Sequence, residues 1–333
     1  MSEDRKKAHI DLALKAHSGF AIPDQRFTYE PMLSAHPVSD PFLFPFMGRV
    51  LETPIWISSM TGGTPIAGEI NRRLAMVCHE FGMGMGLGSC RMILNSDQWL
   101  HDFDVRDIIG DNLPLYANLG INQVEEISIS GSWHLITDLI KKLRADGLII
   151  HINPLQEWMQ PEGDRLRFPP LDTLSRTIDK LPFTKLVVKE VGQGMGPESL
   201  KALLQLPLEA IEFGAFGGTN FSRLEIIRND QSRAALQESL STVGHNAEQM
   251  IKYVIDAVKN NLTIRTKHLI ISGGIPSFLD GFYLTGISPL PAVYGQASAF
   301  LQYAREGLEP LRSYTKAQTE GLRMAASYLR IKK

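Results

Sequence analysis

Gly147-Leu148-Ile149-Ile150-His151-Ile152-Asn153-Pro154-Leu155-Gln156-Glu157 is the stretch on which the reading of this chain turns. Its first half is a short apolar run that reads as a buried strand. Its second half gathers an imidazole, two amides and a carboxylate where a core would want none. Side chains alternate along an extended segment, so His151 and Asn153 face one side, joined by Gln156 or Glu157. Such a set binds a polar ligand, moves a proton or holds a hard cation. The structural alternative is a polar strand-to-helix loop in which Glu157 compensates a helix N-terminus.

The same grammar, an apolar run and then polar or glycine residues, recurs along the chain. Strands are predicted at Pro54 to Ser58, Met83 to Leu87, Leu115 to Asn118 and Gly147 to Ile152. Four more follow at Lys185 to Lys189, Ala210 to Phe213, His268 to Ser272 and Ala292 to Gly295. Helical spacing fills the gaps. Ile70, Leu74, Val77 and Phe81 repeat at helix period within Ala67 to Phe81, and Leu135, Ile136, Leu139, Ile140 and Leu143 do so within Ser132 to Ala145. Pro197 suits the first turn of a helix running to Leu204, and Ala247 to Lys259 is a further helix. Eight apolar strands alternating with helices predict α/β architecture, a (β/α)8 TIM barrel. A doubly wound open sheet competes, but no GxGxxG with an acidic residue on the next strand follows the first strand.

Residues 1–50 fall outside the repeat. Pro23, Pro31, Pro37, Pro41 and Pro45 predict an irregular N-terminal arm with little internal sheet. Its basic start, Arg5-Lys6-Lys7-Ala8-His9, precedes a helical stretch through His17. That start is either a solvated terminus or a grip on an anionic substrate at the barrel mouth. Residues 51–333 form the barrel, and the tail from Glu306 to Lys333 reads as helix.

Composition narrows the function. The chain has 333 residues, 44% of them hydrophobic, and a formal net charge of -2. That excludes general disorder and gives no bulk charge for nucleic acid. Cys78 and Cys90 are the only cysteines, too few for a disulfide framework or a zinc site. No apolar signal core or membrane-length run is present. The expectation is a cytoplasmic protein, a homo-oligomer, with no nucleic-acid or membrane partner.

Barrel enzymes build their sites at the carboxyl ends of the strands. Here those ends carry Ser58-Ser59-Met60-Thr61-Gly62-Gly63, Gly88-Ser89-Cys90-Arg91, Asn118-Leu119-Gly120 and Lys189-Glu190. Lys189, at the end of an apolar strand, needs a partner if buried, and the N1–C2=O edge of a flavin is one. The last three ends are Gly214-Ala215-Phe216-Gly217-Gly218-Thr219, Ser272-Gly273-Gly274-Ile275 and Gly295-Gln296-Ala297. Three successive glycine-rich ends make a cradle for a phosphate.

With these residues assembled, the chain resembles the type 2 isopentenyl-diphosphate isomerases, FMN-dependent barrel enzymes. The resemblance rests on Arg5-Lys6 with His9, Met60-Thr61-Gly62-Gly63, Gly88-Ser89 with Arg91, Asn118-Leu119-Gly120, and the strand-four motif His151 to Glu157. Val188-Lys189-Glu190-Val191-Gly192, Gly217-Gly218-Thr219 and Ser272-Gly273-Gly274-Ile275 complete it. It implies FMN contacts from Met60, Thr61, Gly62, Gly63, Ser89, Asn118, Lys189 and Thr219, with Gly273, Gly274, Gly295 and Ala297 around the phosphate. It further implies that Arg5, Lys6, His9, Arg91 and Asn153 hold a diphosphate substrate, that His151 and Gln156 act at the reacting centre, and that Glu157 binds Mg2+. NADPH would reduce the flavin. The implied reaction moves the double bond of isopentenyl diphosphate to give dimethylallyl diphosphate.

The chain departs from the family pattern in places. Cys90 stands where the family usually has glutamine, and Asp280 to Gly286 carries no lysine after the Gly273-Gly274 turn. Pro289 and Pro291 then break the approach to the last strand. Two other functions fit the same fold. An FMN-dependent 2-hydroxy-acid oxidase would need a His-Gly-x-Arg element after strand six, where Gly214 to Phe221 has neither His nor Arg. An FMN-binding paralogue without isomerase turnover is the other.

Overall fold

The computed structural model describes residues 3–13, 15–16, 19, 21–37, 42–59, 63–228 and 237–332. Eight parallel strands close into a barrel in chain order. They are β4 (Ile55–Ile57), β5 (Gly84–Gly86), β6 (Leu115–Gly120), β7 (Gly147–Ile152), β8 (Leu186–Glu190), β9 (Ala210–Glu212), β10 (His268–Ser272) and β11 (Ala292–Gln296). Pairing of Tyr294, Gly295 and Gln296 on β11 with Ile55, Trp56 and Ile57 on β4 closes the ring. The predicted barrel is therefore the observed one, and the open sheet is excluded.

The strands are apolar because both faces are covered. Leu148, Ile149 and Ile150 of β7 are completely buried, while His151 and Ile152 emerge at its carboxyl end. Inside the barrel Trp56 and Tyr116 pack edge to face at 6.1 Å. Outside, the helix Pro65–Phe81 buries Ile70, Leu74 and Val77. Its start is fixed by the Thr64 hydroxyl, which accepts from Ala67 N–H at 3.3 Å, and its end by Gly82 at φ +63°. At the amino ends of the strands Asp146 accepts from Arg106 at 2.8 Å and Arg49 at 2.6 Å. This ion cluster lies at the end of a barrel where residues serve stability.

The helix expected at the basic start is Glu3–Ala13, but the arm and the tail also hold short strands that were not expected. Those of the arm are β1 (Phe27–Tyr29), β2 (Phe44–Phe46) and β3 (Arg49–Leu51). β2 and β3 form an antiparallel hairpin. The tail helix Leu308–Tyr328 ends in β12 (Leu329–Ile331), which pairs antiparallel with β1. Prolines flank these strands, with only Pro45 inside one, so they limit strand length without preventing pairing. Only long-range partners, some 300 residues apart in the case of β1 and β12, reveal such short strands. Among the described residues no helix is long and apolar enough to cross a membrane.

Candidate active site

A cleft opens at the carboxyl ends of the strands and has two chambers with a common floor. Lys189, Ser59, Val191 and Phe221 line both. The first chamber, about 560 Å3 to its open mouth, is walled by the glycine-rich ends of β9, β10 and β11. The second, about 720 Å3, is walled by polar side chains from β5, β6 and β7.

The first chamber is shaped by backbone. Gly273 has φ +90°, and a Cβ there would lie 2.1 Å from the Ala215 carbonyl oxygen and 2.3 Å from its nitrogen. Two strand ends are thus in direct backbone contact, which only glycine permits. Gly218, Thr219, Gly274 and Gly295 line the same space. Ala297 precedes the helix Ser298–Glu306, whose first N–H groups have no helical acceptor and face an anion favourably. Thr219, Gly273, Gly274, Gly295 and Ala297, read separately from sequence, therefore meet in one cradle. Among the described residues its one charged lining group is Lys189, which is 7% exposed and donates from Nζ to the Glu190 carbonyl at 2.8 Å.

The second chamber is shaped by a chain of side-chain hydrogen bonds. Asn153 and Pro154 start the helix Pro154–Met159, placing Gln156 and Glu157 in its first turn. Asn153 Nδ2 donates to Gln156 Oε1 at 3.1 Å and to Glu157 Oε1 at 3.0 Å. Gln156 Nε2 donates to Glu225 Oε1 at 3.1 Å, and Gln160 Nε2 donates to the same oxygen at 2.8 Å. Glu157 Oε2 accepts from the Asp164 N–H at 3.0 Å. Gln156 is thereby fixed at both ends of its amide.

His151 Nδ1 lies 2.7 Å from Asn118 Oδ1. Burial, with the Lys189 ammonium adding to it, pushes the imidazole down to about 3, so the ring is neutral at physiological pH. With Asn118 presenting oxygen, Nδ1 carries the proton and Nε2 is an acceptor. Nε2 would lie 3.0 Å from a Cβ at Gly120, so the missing side chain there makes room for the ring.

Buried polar atoms without partners mark where a ligand belongs. Ser58 Oγ, Ser59 Oγ and Asn153 Oδ1 are three of them, all on residues that line the cleft. They fit the polar rim of a flat heteroaromatic ligand lying across the shared floor, with its phosphate in the glycine cradle. For a metal, the second chamber offers the Glu157 carboxylate beside the free Asn153 oxygen. Among the described residues no group of three or more His, Cys, Asp or Glu side chains is placed to hold an ion. One carboxylate suits Mg2+, which often relies on substrate phosphate for the rest of its ligands.

The placement of the other expected residues is uneven. Ser89, Asn118 and Arg91 line the second chamber. Arg91 is 58% exposed and donates to Asp164 at 3.1 Å. Gly63, with φ +75°, packs against Met92 and lines neither chamber. Met60, Thr61 and Gly62 lie outside the described residues. Arg5, Lys6 and His9 are exposed on the helix Glu3–Ala13, and the structure does not bring them to the cleft lining. Sequence reasoning placed Ser59 at a polar strand end without giving it a role, and it missed Gln123, Phe221 and Glu225. Glu225 lies 69 positions from Gln156, and no local signal links them.

No family model matches the chain. It is 32% identical over 313 residues to the isopentenyl-diphosphate delta-isomerase of Rickettsia felis, covering 90% of this chain and 85% of that protein. It is 35% identical over 260 residues to the protein of the same name from Rickettsia akari, covering 78% and 72%. Among solved structures, a mandelate oxidase variant superposes with a TM-score of 0.58 at 13% identity, covering 91% of this chain and 83% of that one. A flavocytochrome b2 variant does so with 0.61 at 13% identity, covering 90% and 71%. These two likenesses are likenesses of fold.

Proposed function

The chain belongs to the isopentenyl-diphosphate delta-isomerase family, and we propose that it interconverts isopentenyl and dimethylallyl diphosphate with FMN, reduced by NADPH, and Mg2+. The observation that carries this reading is the junction of the two chambers at Lys189. A glycine cradle and a polar set of His151, Asn153, Gln156 and Glu157 share one floor.

Thr219, Gly273, Gly274, Gly295 and Ala297 would hold the FMN phosphate, and Ser59, Asn118 and Lys189 the ring. Bound there, FMN supplies a strong acid–base centre for an unactivated alkene, a task no side chain in the cleft can match. The remaining work falls to the protein. Lys189 keeps positive charge at the ring edge. Gln156, anchored by Asn153 and Glu225, orients the alkene. Neutral His151 offers Nε2 as an acceptor beside it. Arg91 draws the diphosphate to the open side of the chamber, and Glu157 holds Mg2+ against it. A homo-oligomeric cytoplasmic enzyme of isoprenoid precursor synthesis is the corresponding setting.

The oxidases that share the fold suggest a 2-hydroxy-acid substrate instead. The end of β9, Gly214 to Phe221, carries neither His nor Arg, so the His-Gly-x-Arg element that would supply the base and carboxylate clamp for that chemistry is missing there. Proton NMR of anaerobic protein with reduced FMN, Mg2+ and isopentenyl diphosphate tests the proposal. Dimethylallyl diphosphate should accumulate to equilibrium. FMN binding without conversion would identify a non-isomerising paralogue, and turnover of a 2-hydroxy acid would identify an oxidase.

A further inference from the structure

Glu212 is a buried carboxyl group that the chemistry above does not use. It ends β9, between β8 and β10, in register with Lys189 on one side and Ile270 on the other. It is 0% exposed, and neither carboxyl oxygen has a hydrogen-bond partner. Ser58, Lys189 and Ser272, from three other strands, line the first chamber. Ser58 and Ser272 face Glu212 without meeting hydrogen-bond geometry, and the Ser272 hydroxyl instead accepts from the Gly214 N–H at 3.0 Å. Glu212 is therefore buried beside Lys189, behind the lining of the chamber in which a flavin ring would lie.

Two influences compete at this group. Burial without hydrogen bonds strongly disfavours a carboxylate, while the Lys189 ammonium favours it. Burial is the larger, and it raises the group above the ordinary carboxylate range. His151 and Asn118 lie beyond Lys189 on the same floor, and burial keeps His151 neutral, so it adds no second positive charge. A charged Glu212 would cancel Lys189. A neutral one leaves Lys189 as an uncompensated cation facing the cleft.

We propose that Glu212 is a positioning residue held as a neutral acid at physiological pH, so that Lys189 keeps its full charge for an anionic ring. The effect on the ring rests on the flavin reading above, whereas the protonation of Glu212 does not. Two measurements separate them. Infrared spectra of flavin-free protein at pH 7 should contain a buried carboxylic-acid band that Glu212→Gln removes. Failure to find that band overturns the proposal, whether or not flavin binds. If the variant does not fold, titration of the wild-type band decides the same point.

The second measurement is the dissociation constant of reduced FMN against pH. Glu212→Gln mimics the neutral acid, so its affinity at pH 7 should match the wild type. At alkaline pH the wild type should weaken by about tenfold or more as Glu212 ionises, while the variant stays level. A large loss of affinity in Glu212→Gln at pH 7 would mean that a carboxylate had been pairing with Lys189, and would overturn the proposal. Failure of the wild type to bind FMN at any pH would refute the flavin reading, leaving the infrared band to decide the state of Glu212.

Discussion

The two chambers of the cleft share a floor but are shaped by opposite means. Around the glycine cradle the backbone forms the wall, and side chains are missing where strand ends touch. Around His151 and Gln156 side chains form the wall, each held by the next. The first kind of wall is insensitive to pH and fails when volume is added. The second tolerates small changes of volume and fails when a donor, acceptor or charge is removed.

The largest effect should come from adding volume to the cradle. Gly273→Val combines a positive φ with a direct backbone clash, and the φ alone costs about 1–3 kcal/mol. Denaturant unfolding should record a loss at least that large, with no flavin retained after purification. Full stability with full FMN occupancy would show that the chamber wall is not rigid.

Next comes the hydrogen-bond chain. Gln156→Ala should lower kcat by about a hundredfold while changing KM less, as expected for a group that orients the reacting centre. Glu225→Gln keeps the shape and should give a smaller loss of kcat in the same direction. If both variants instead raise KM alone, the chain serves binding only. Glu157→Gln should blunt the Mg2+ response with FMN still bound, and an unchanged metal titration would remove Glu157 from that role.

A pH experiment distinguishes the chambers more finely. The folded protein holds His151 near 3, below the ordinary histidine value of 6.5. The unfolded chain therefore binds the proton first as pH falls. The associated stability is complete above pH 6.5 and is lost progressively down to about pH 3. His151→Gln should flatten this part of the stability curve, whereas substitutions in the glycine cradle should leave its shape unchanged. Identical acid limbs for wild type and His151→Gln would contradict the buried neutral ring.

The smallest effect is expected at Arg91. Its side chain is 58% exposed and already paired with Asp164. Exposed pairs of this kind contribute about 1 kcal/mol or less, so Arg91→Ala should raise KM only several-fold and leave stability nearly unchanged. A far larger KM effect would mean that the second chamber closes over its substrate.

Much of this was legible in sequence because the signals are local. A buried parallel strand needs a continuous apolar run, and all eight were recognisable as such. Glycines at three consecutive strand ends had to lie together once the ring closed, as did His151, Asn153, Gln156 and Glu157 within seven residues. Tertiary structure alone decided the rest. It placed Glu225 against Gln156, joined Phe27–Tyr29 to Leu329–Ile331, left Arg91 exposed, and set Glu212 in register with Lys189. Each of these depends on register or packing between distant segments. Side-chain type and spacing specify the period of an element, whereas the partner across the barrel is set by how the elements close on one another.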